Sequence, residues 1–384
     1  MRVLIAGGGT GGHLFPGIAV AQELKQRLGA EVSFVGSSYG IESRAVPRAG
    51  FPVDLLPVRG LLGEGAAGML RAFWRLPLSI IAAWRVLARR RPELVIGVGG
   101  YASFPAVVAA LVRRIPVVLL EQNAKPGLTT RLLARFARCV CVSMPQAREA
   151  LRGAHVVVTG NPIRGLGASV SHGEGSTPGG AVELAAARRD LGTSSPGFRL
   201  LVFGGSAGAH RLNQIVPEAA RRVGRKLTIV HQTGAADRAA VENAYRAAGL
   251  DAEVHEFIHD MPREYARADL VVCRAGATTL AELTALAVPA VLVPYPFAAA
   301  DHQRWNAAAL VDAGAAWMIL DRDLDPEELG ALIRRAIDDP ATLAAMRERA
   351  RLLGRPDAAA RVVAECLACL EPSRRRAGLD EVVS

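Results

Sequence analysis

The first thirty residues carry the groups best suited to bind a phosphate. An apolar run over residues 2–6 passes directly into a glycine-rich cluster, Gly7–Gly12, and then into helix-forming sequence from Ile18. This order predicts a buried parallel strand that ends in a tight turn before a helix. Backbone amides at a helix N-terminus favour a bound anion. His13 follows the cluster, and an imidazole there could exchange a proton beside a phosphate.

The glycine spacing also matches the G-x-G-x-x-G pattern of dinucleotide-binding sites. Such a site needs an acidic residue after the second strand to bind a ribose. Here Val32–Val35 runs into Gly36-Ser-Ser, with no acid at that position. The sequence therefore disfavours a nicotinamide-dependent oxidoreductase. For His13, simple packing or capping without a chemical role stays open as the alternative.

The strand, glycine turn and helix recur in the second half of the chain. Phe198–Phe203 leads into Gly204–Gly208, and strand-like runs such as Glu253–Ile258 follow. Short apolar strands alternating with helices are typical of parallel, doubly wound α/β sheets. The 384 residues suffice for two domains of about 150–200 residues each. We predict Rossmann-like domains at 1–164 and 198–354, a flexible Ser/Gly-containing linker at 165–197 and a disordered tail at 371–384.

Polar residues cluster where predicted strands end, at the edge where ligands bind in such sheets. Turn formation does not readily explain Glu121, Asn123 or Arg164 in these loops. Cys273 ends a strand that turns through Gly276 into a helix. Amides at that helix start suit a diphosphate, and Glu282 could accept two ribose hydroxyls. Alternatively, Thr278 or Thr279 caps the helix and Glu282 is a solvated helix residue.

Metal and disulfide chemistry are disfavoured. Asp321 and Asp323 have the D-x-D spacing of some metal sites, but Asp325 before Pro326 is better interpreted as a helix N-cap. Five cysteines, an odd number in scattered apolar segments, fit reduced thiols in a cytoplasmic protein. No secretory signal is predicted, because glycines follow a first apolar run that is only strand-long.

The charge of the chain points to an acidic partner, with a formal net charge of +10. The window Gly65–Pro92 has no acidic residue. At about 100° per residue, one helical face there carries several arginines: Arg71, Arg75, Arg85 and Arg89. The opposite face is predicted to be core: Phe73, Leu76, Ile80, Trp84 and Leu87.

Three apolar residues of this window, Trp74, Leu78 and Ile81, fall beside or among the arginines. Such a surface is suited to docking on anionic lipid headgroups. A solvated basic face is the alternative, and Pro77 could divide the segment into two helices. No apolar run reaches the roughly 18 residues of a membrane span.

Seven motifs occur in order between Gly8 and Asn306: Gly8–His13 with Pro16-Gly17, Gly99-Gly-Tyr101, Glu121-Gln-Asn123, Gly160-Asn-Pro-x-Arg164, Gly204-Gly-Ser-x-Gly208, Cys273-Arg-x-Gly276 with Glu282, and Gln303 with Asn306. This set resembles one family, the bacterial transferases that add N-acetylglucosamine to undecaprenyl-pyrophosphoryl-N-acetylmuramyl pentapeptide (MurG). Each motif is weak alone, and together they are specific. The insertion at 169–180 departs from the family's usual short connection.

The resemblance implies the GT-B fold, with two Rossmann-like domains facing a deep cleft and a C-terminal helix at about 355–370 packed back onto the first. It implies inverting transfer from UDP-N-acetylglucosamine (UDP-GlcNAc) without metal or cofactor. From its position in a predicted loop at the carboxyl end of the first strand, His13 is our candidate for the base that takes the acceptor proton, and Glu121 is the next candidate. The implied donor contacts are Thr10, Gly11, Gly12, Asn123, Arg164, Ser206, Ile258, Ala277, Thr278, Thr279, Leu280, Ala281, Glu282 and Gln303.

The product would be lipid II, used for peptidoglycan and hence for cell shape and division. The implied partners are the undecaprenyl-linked acceptor and an anionic membrane surface, on the cytoplasmic side of the inner membrane. A GT-B transferase with another lipid acceptor is the alternative. A nucleic-acid binder is disfavoured, because the basic window lacks a recognised nucleic-acid module and the glycine turns would have no role.

Overall fold

The chain forms two compact units. The computed structural model describes residues 1–58, 65–163, 197–205 and 208–370, without the side chains of 65–75. Within these residues, 1–163 and 356–370 make the first unit, and 197–355 make the second. The predicted linker, apart from Gly197, and the predicted tail lie outside the described residues.

The first unit is built on a seven-stranded parallel sheet of order β3-β2-β1-β4-β5-β6-β7. Its strands are β1 Arg2–Ala6, β2 Glu31–Ser37, β3 Val53–Leu56, β4 Leu94–Gly97, β5 Val117–Glu121, β6 Cys139–Val142 and β7 Val156–Val158. Its first five helices are α1 Gly11–Leu28, α2 Glu42–Arg48, α3 Gly65–Arg90, α4 Phe104–Val112 and α5 Leu128–Leu133. The central strands are buried along their whole length, as expected for parallel strands covered on both faces.

The second unit has a six-stranded parallel sheet of order β10-β9-β8-β11-β12-β13. Its strands are β8 Phe198–Phe203, β9 Leu227–Gln232, β10 Ala252–His255, β11 Leu270–Cys273, β12 Ala290–Leu292 and β13 Ala316–Met318. Its helices are α6 His210–Val223, α7 Arg238–Ala247, α8 Met261–Arg267, α9 Ala277–Ala285, α10 His302–Asp312, α11 Pro326–Asp338 and α12 Pro340–Leu353.

The last helix, α13 (Ala358–Leu370), belongs to the first unit. It contacts α1 and β6, and its Val362, Val363 and Cys366 are buried in the same core as α1. Helices α3, α4 and α5 pack in a second core, which contains the alternate residues of β1. Because side chains alternate across a strand, the two cores lie on opposite faces of the sheet.

These sheets confirm the prediction of two doubly wound, parallel-sheet domains. The sequence pattern does not predict β7, because a three-residue edge strand is too short to show one. Strand β10 ends at His255, before the predicted Ile258. Asp325 caps α11 as predicted, since its carboxylate accepts from the Glu327 and Glu328 amides.

Helix α1 begins much earlier than the sequence indicates, at Gly11 instead of near Ile18. Thr10 is extended and lies at the N-cap, and its carbonyl accepts from the amides of His13 and Leu14. His13 therefore lies in the first turn of a helix and not in a loop. That placement fixes its backbone more firmly than a glycine loop would.

Helix α3 continues from Gly65 to Arg90 with Pro77 inside it, so the proline does not divide the segment into two helices. Its Ala83 and Leu87 are buried toward the sheet. The prediction that Trp84 is core was wrong, because this side chain is 42% exposed.

None of the described helices is long and apolar enough to cross a bilayer.

Candidate active site

Each sheet has one point where the order of its strands reverses, between β1 and β4 and between β8 and β11. In open α/β sheets, ligands bind beyond the carboxyl ends of the strands at this point. Gly7–Thr10 follows β1, and Gly204 and Gly205 follow β8. Both predicted phosphate-binding turns therefore lie where the fold favours a ligand.

The start of α1 offers amides to an anion. The first hydrogen bonds of the helix are made by the amides of His13 and Leu14, so those of Gly11 and Gly12 precede them. The predicted contacts Thr10, Gly11 and Gly12 thus form the N-cap and first two residues of a helix. The helix dipole adds to the preference for negative charge.

The His13 side chain is held in one orientation by a chain of hydrogen bonds. Its Nδ1 lies 2.9 Å from Gln122 Oε1, and Gln122 Nε2 donates to the Val98 carbonyl at 3.1 Å. Because the Gln122 oxygen can only accept, Nδ1 must carry a proton. In the neutral imidazole, Nε2 then has the lone pair that can take a proton. The sequence pattern named Gln122 in a motif but gave it no role.

A buried carboxylate that no sequence motif indicates holds the first glycine turn. Glu42, in α2, accepts from the amides of Gly9 at 2.9 Å and Ser37 at 2.5 Å. Its side chain is fully buried. Three glycines pack against it: Gly8, Gly36 and Gly40. A Cβ added at Gly8 would lie 2.5 Å from the carboxyl carbon of Glu42, so the turn and the carboxylate fit only with glycine.

Glu121 organises the loop after β5. Its carboxylate accepts from the Asn123 amide at 3.1 Å, the Asn123 Nδ2 at 3.3 Å and the Gly127 amide at 3.0 Å. The side chain is only 3% exposed. These contacts favour a positioning role for Glu121, with Asn123 held in a defined orientation beside it.

The second glycine turn is held by its neighbours. Gly208 has a φ of +78°, and a side chain there would collide with the carbonyl of Thr233. Gln232, at the end of β9, donates to the Gly205 carbonyl at 2.9 Å. The same side chain accepts from the Ile258 amide at 2.7 Å. Ile258 thus lies in the loop after β10, with its backbone N–H already in use.

The start of α9 gathers six of the predicted donor contacts. Gly276 is the N-cap, and the first helical bond runs from the Leu280 amide to the Gly276 carbonyl. The amides of Ala277, Thr278 and Thr279 therefore precede it, as an anion site requires. Neither threonine is the N-cap, so the capping alternative is wrong. The Thr278 hydroxyl is buried and has no hydrogen-bond partner in the described part of the chain.

Glu282 is oriented by a buried phenol. Tyr265 donates its hydroxyl to Glu282 Oε2 at 2.9 Å. Burial, and then the Glu282 charge, raise the pKa of Tyr265, which keeps it a donor. Leu280 and Ala281 directly precede Glu282 in α9, and the Leu280 side chain is buried in the core. Glu282 is thus a positioned carboxylate and not a freely solvated one.

Gln303 links two further loops. Its Oε1 accepts from the amides of Ala275 at 3.1 Å and Tyr295 at 2.9 Å, which follow β11 and β12. With that oxygen engaged, Nε2 is the group that can donate to a bound sugar.

Two predicted contacts, Arg164 and Ser206, lie outside the described residues.

The outer side of α3 forms a second candidate site, the α3 surface, defined by Leu78, Ile81 and Trp84. These side chains are 64%, 50% and 42% exposed. The Arg113 guanidinium lies 5.0 Å above the Trp84 ring. Arg89 and Arg90 both pair with Asp54, so that part of the predicted basic face is partly neutralised. The side chains of Arg71, Arg75, Phe73 and Trp74 lie outside the description.

Two Rossmann-like units with a glycine turn at each switch point are the architecture of GT-B glycosyltransferases. Models of the glycosyltransferase family 28 N-terminal and C-terminal domains match residues 3–142 and 199–362. The chain therefore belongs to glycosyltransferase family 28.

Relatives that match nearly the whole chain carry one enzyme name, UDP-N-acetylglucosamine–N-acetylmuramyl-(pentapeptide) pyrophosphoryl-undecaprenol N-acetylglucosamine transferase. The protein of that name from Myxococcus xanthus is 46% identical over 96% of this chain and 92% of its own length. The one from Pelobacter propionicus is 46% identical over 96% of this chain and 99% of its own length.

A solved structure, MurG from Acinetobacter baumannii, is similar throughout, with a TM-score of 0.78 and 31% identity over 96% of this chain and 99% of that chain. The UDP-GlcNAc 2-epimerase from Neisseria meningitidis has a TM-score of 0.64 at 14% identity, over 96% of this chain and 100% of that chain. That second likeness shows the fold alone.

Proposed function

We propose that this chain transfers N-acetylglucosamine from UDP-GlcNAc to the 4-hydroxyl of undecaprenyl-linked N-acetylmuramyl pentapeptide, converting lipid I to lipid II in peptidoglycan synthesis. The observation that carries the proposal is the start of α9, where three amides precede the first helical bond and Tyr265 orients Glu282. Those groups suit the diphosphate and the ribose of a nucleotide sugar. The names of the relatives supply the acceptor.

The reaction inverts the anomeric centre of the sugar. The acceptor hydroxyl attacks C1 on the face opposite the diphosphate, and the new C1–O bond forms as the bond to UDP breaks. UDP leaves with that electron pair, and helix amides stabilise its charge. The hydroxyl proton passes to a base, for which we propose His13 Nε2, because Nδ1 is committed to Gln122.

The test of this function is transfer of labelled N-acetylglucosamine from UDP-GlcNAc to a short-chain lipid I analogue. We expect transfer to this acceptor and release of one UDP per sugar transferred. A panel of other lipid-linked sugars separates this activity from that of a GT-B transferase with another acceptor. Transfer only to a different acceptor would contradict the proposal.

We expect Glu282→Ala to weaken UDP-GlcNAc binding roughly 10- to 150-fold, because it removes charge-assisted hydrogen bonds worth about 1.5–3 kcal/mol. Calorimetry with the folded variant measures the affinity. Tyr265→Phe should give a smaller loss, since the carboxylate remains but one hydrogen bond that orients it is removed.

Glu348→Ala is the matched control, because it removes an exposed carboxylate from α12, another helix of the same unit. It should leave the affinity unchanged. Unchanged UDP affinity in Glu282→Ala would rule out the ribose role.

We propose peripheral attachment to the cytoplasmic face of the inner membrane through the α3 surface. Three exposed apolar side chains lie together on one helix, and arginines such as Arg85 and Arg113 lie close to them in the chain or in space. Apolar residues insert at the headgroup boundary while cations attract anionic lipid. Helix α4, on the same face of the sheet, adds Val112, which is 66% exposed.

Sedimentation with anionic vesicles should show binding that falls as salt rises, because exposed charges are screened. The double variant Leu78→Ser/Ile81→Ser should bind more weakly at every salt concentration. Leu352→Ser is the matched control, since Leu352 is 61% exposed on α12 of the other unit. Equal binding to neutral and anionic vesicles would contradict the proposal.

A further inference from the structure

One side chain of the second unit connects two loops of the candidate donor site. Gln232 is the last residue of β9 and is only 2% exposed. Its Nε2 donates to the Gly205 carbonyl at 2.9 Å, and its Oε1 accepts from the Ile258 amide at 2.7 Å. Gly205 follows β8 and Ile258 follows β10, which are the two strands that pair with β9. A single amide therefore bridges the loops on both sides of its own strand.

The end of β9 is itself held firmly, so the bridge has a fixed base. His231 contacts Tyr245 Oη at 2.9 Å through Nδ1 and Asn213 Oδ1 at 3.1 Å through Nε2. Asn213 donates to the Thr233 carbonyl at 2.9 Å. Burial lowers the pKa of His231 to about 3, so the imidazole is neutral and can both donate and accept. These bonds anchor the residues on either side of Gln232.

The two bridged loops suit different parts of one ligand. The glycine turn lies at the switch point of the sheet and before α6, where phosphates bind. The Ile258 loop leaves the edge strand at the same carboxyl end of the sheet, one strand beyond β9. A nucleoside diphosphate that reaches from one loop to the other needs them at a constant spacing.

We propose that Gln232 is a positioning residue that couples the phosphate and nucleoside parts of the donor site, by holding the Gly205 turn and the Ile258 loop at the spacing of a nucleoside diphosphate. The inference rests on the proposed function, since it takes the donor to be a UDP-sugar. It gives Gln232 no contact with the reacting atoms. The side chain stabilises the spacing between the two loops.

The bridge requires a donor at one end and an acceptor at the other. Gln232→Glu keeps an oxygen for the Ile258 amide but places a second oxygen against the Gly205 carbonyl. Only the contact to the glycine turn is lost, and repulsion replaces it. Gln232→Met keeps the approximate length and loses both contacts. The two variants therefore separate the ends of the bridge.

The test measures dissociation constants of UDP, UMP and uridine for the full chain by calorimetry. For Gln232→Glu we expect UDP to bind about 10- to 100-fold more weakly, because a buried partner is lost. Uridine, which does not reach the phosphate turn, should change less than about threefold. Gln232→Met should also lower the ratio of the uridine dissociation constant to the UDP dissociation constant below its wild-type value.

Ile333→Ala is the control for general destabilisation, because it removes a buried side chain from α11 of the same unit without touching Gln232, its anchoring bonds or either loop. It should lower the melting temperature and keep the uridine-to-UDP ratio of the wild type. Equal losses for uridine and UDP in Gln232→Glu, or no loss of UDP affinity in either variant, would overturn the coupling role. Absence of UDP binding to the wild type would instead contradict the proposed function.

Discussion

Replacement of His13 by Asn is expected to lower kcat by about 10²- to 10⁴-fold with UDP-GlcNAc binding intact, which is the usual contribution of a general base. The structure indicates which nitrogen would accept the proton. Because Nδ1 is hydrogen-bonded to Gln122, the accepting atom is Nε2. Only neutral imidazole can do so. The acid limb of the kcat–pH profile should therefore be present in the wild type and absent in the variant.

Steady-state kinetics over a pH series makes this measurement, with His155→Asn as the control. His155 is an exposed histidine of the same unit and should leave kcat unchanged. If His13 only positions the pyrophosphate of the acceptor, the loss will appear in the acceptor KM and the acid limb will persist. That outcome would make Glu121 the next base to test.

Glu42→Ala should lower the free energy of unfolding of the first unit by about 3–5 kcal/mol. The substitution leaves the buried amide of Ser37 and the partly buried amide of Gly9 without their acceptor, and each such loss costs about 1–3 kcal/mol. It also opens a cavity among packed glycines, which adds to the cost. Urea unfolding of the variant measures the change.

Glu31→Ala is the matched control for this result, because Glu31 is an exposed carboxylate at the start of β2 in the same unit. It should alter the free energy of unfolding by no more than about 0.5 kcal/mol. A similarly small change for Glu42→Ala would mean that the carboxylate does not hold the turn.

Local patterns predicted most of the strands and both glycine turns, because apolar runs and glycine spacing are properties of neighbouring residues. The role of Glu42 could not be predicted in this way. Its partner Gly9 is 33 residues away, and Gly8, which packs against it, belongs to the same distant turn. Gln122 and Gln232 were missed for a related reason, since their partners lie across strands that only the folded sheet brings together.

The wrong prediction for Trp84 has a different physical cause. A helical wheel gives the relative angles of side chains but not how a helix rotates against its sheet. Ala83, Val86 and Leu87 are the residues of that stretch that α3 buries, and Trp84 is left at the margin. Its ring is then free to lie under the Arg113 guanidinium.

The packing of α13 in the first unit affects the order in which the two units can fold during synthesis on the ribosome. Val362, Val363 and Cys366 fill the core between α1 and β6, yet they are translated after every strand of the second unit. The domain that begins first therefore cannot complete its core until α13 has emerged. The later sheet can close before the earlier one, although domains usually fold from the N-terminus onward during translation. A nascent chain stalled before α13 would carry an open apolar face, a binding site for chaperones.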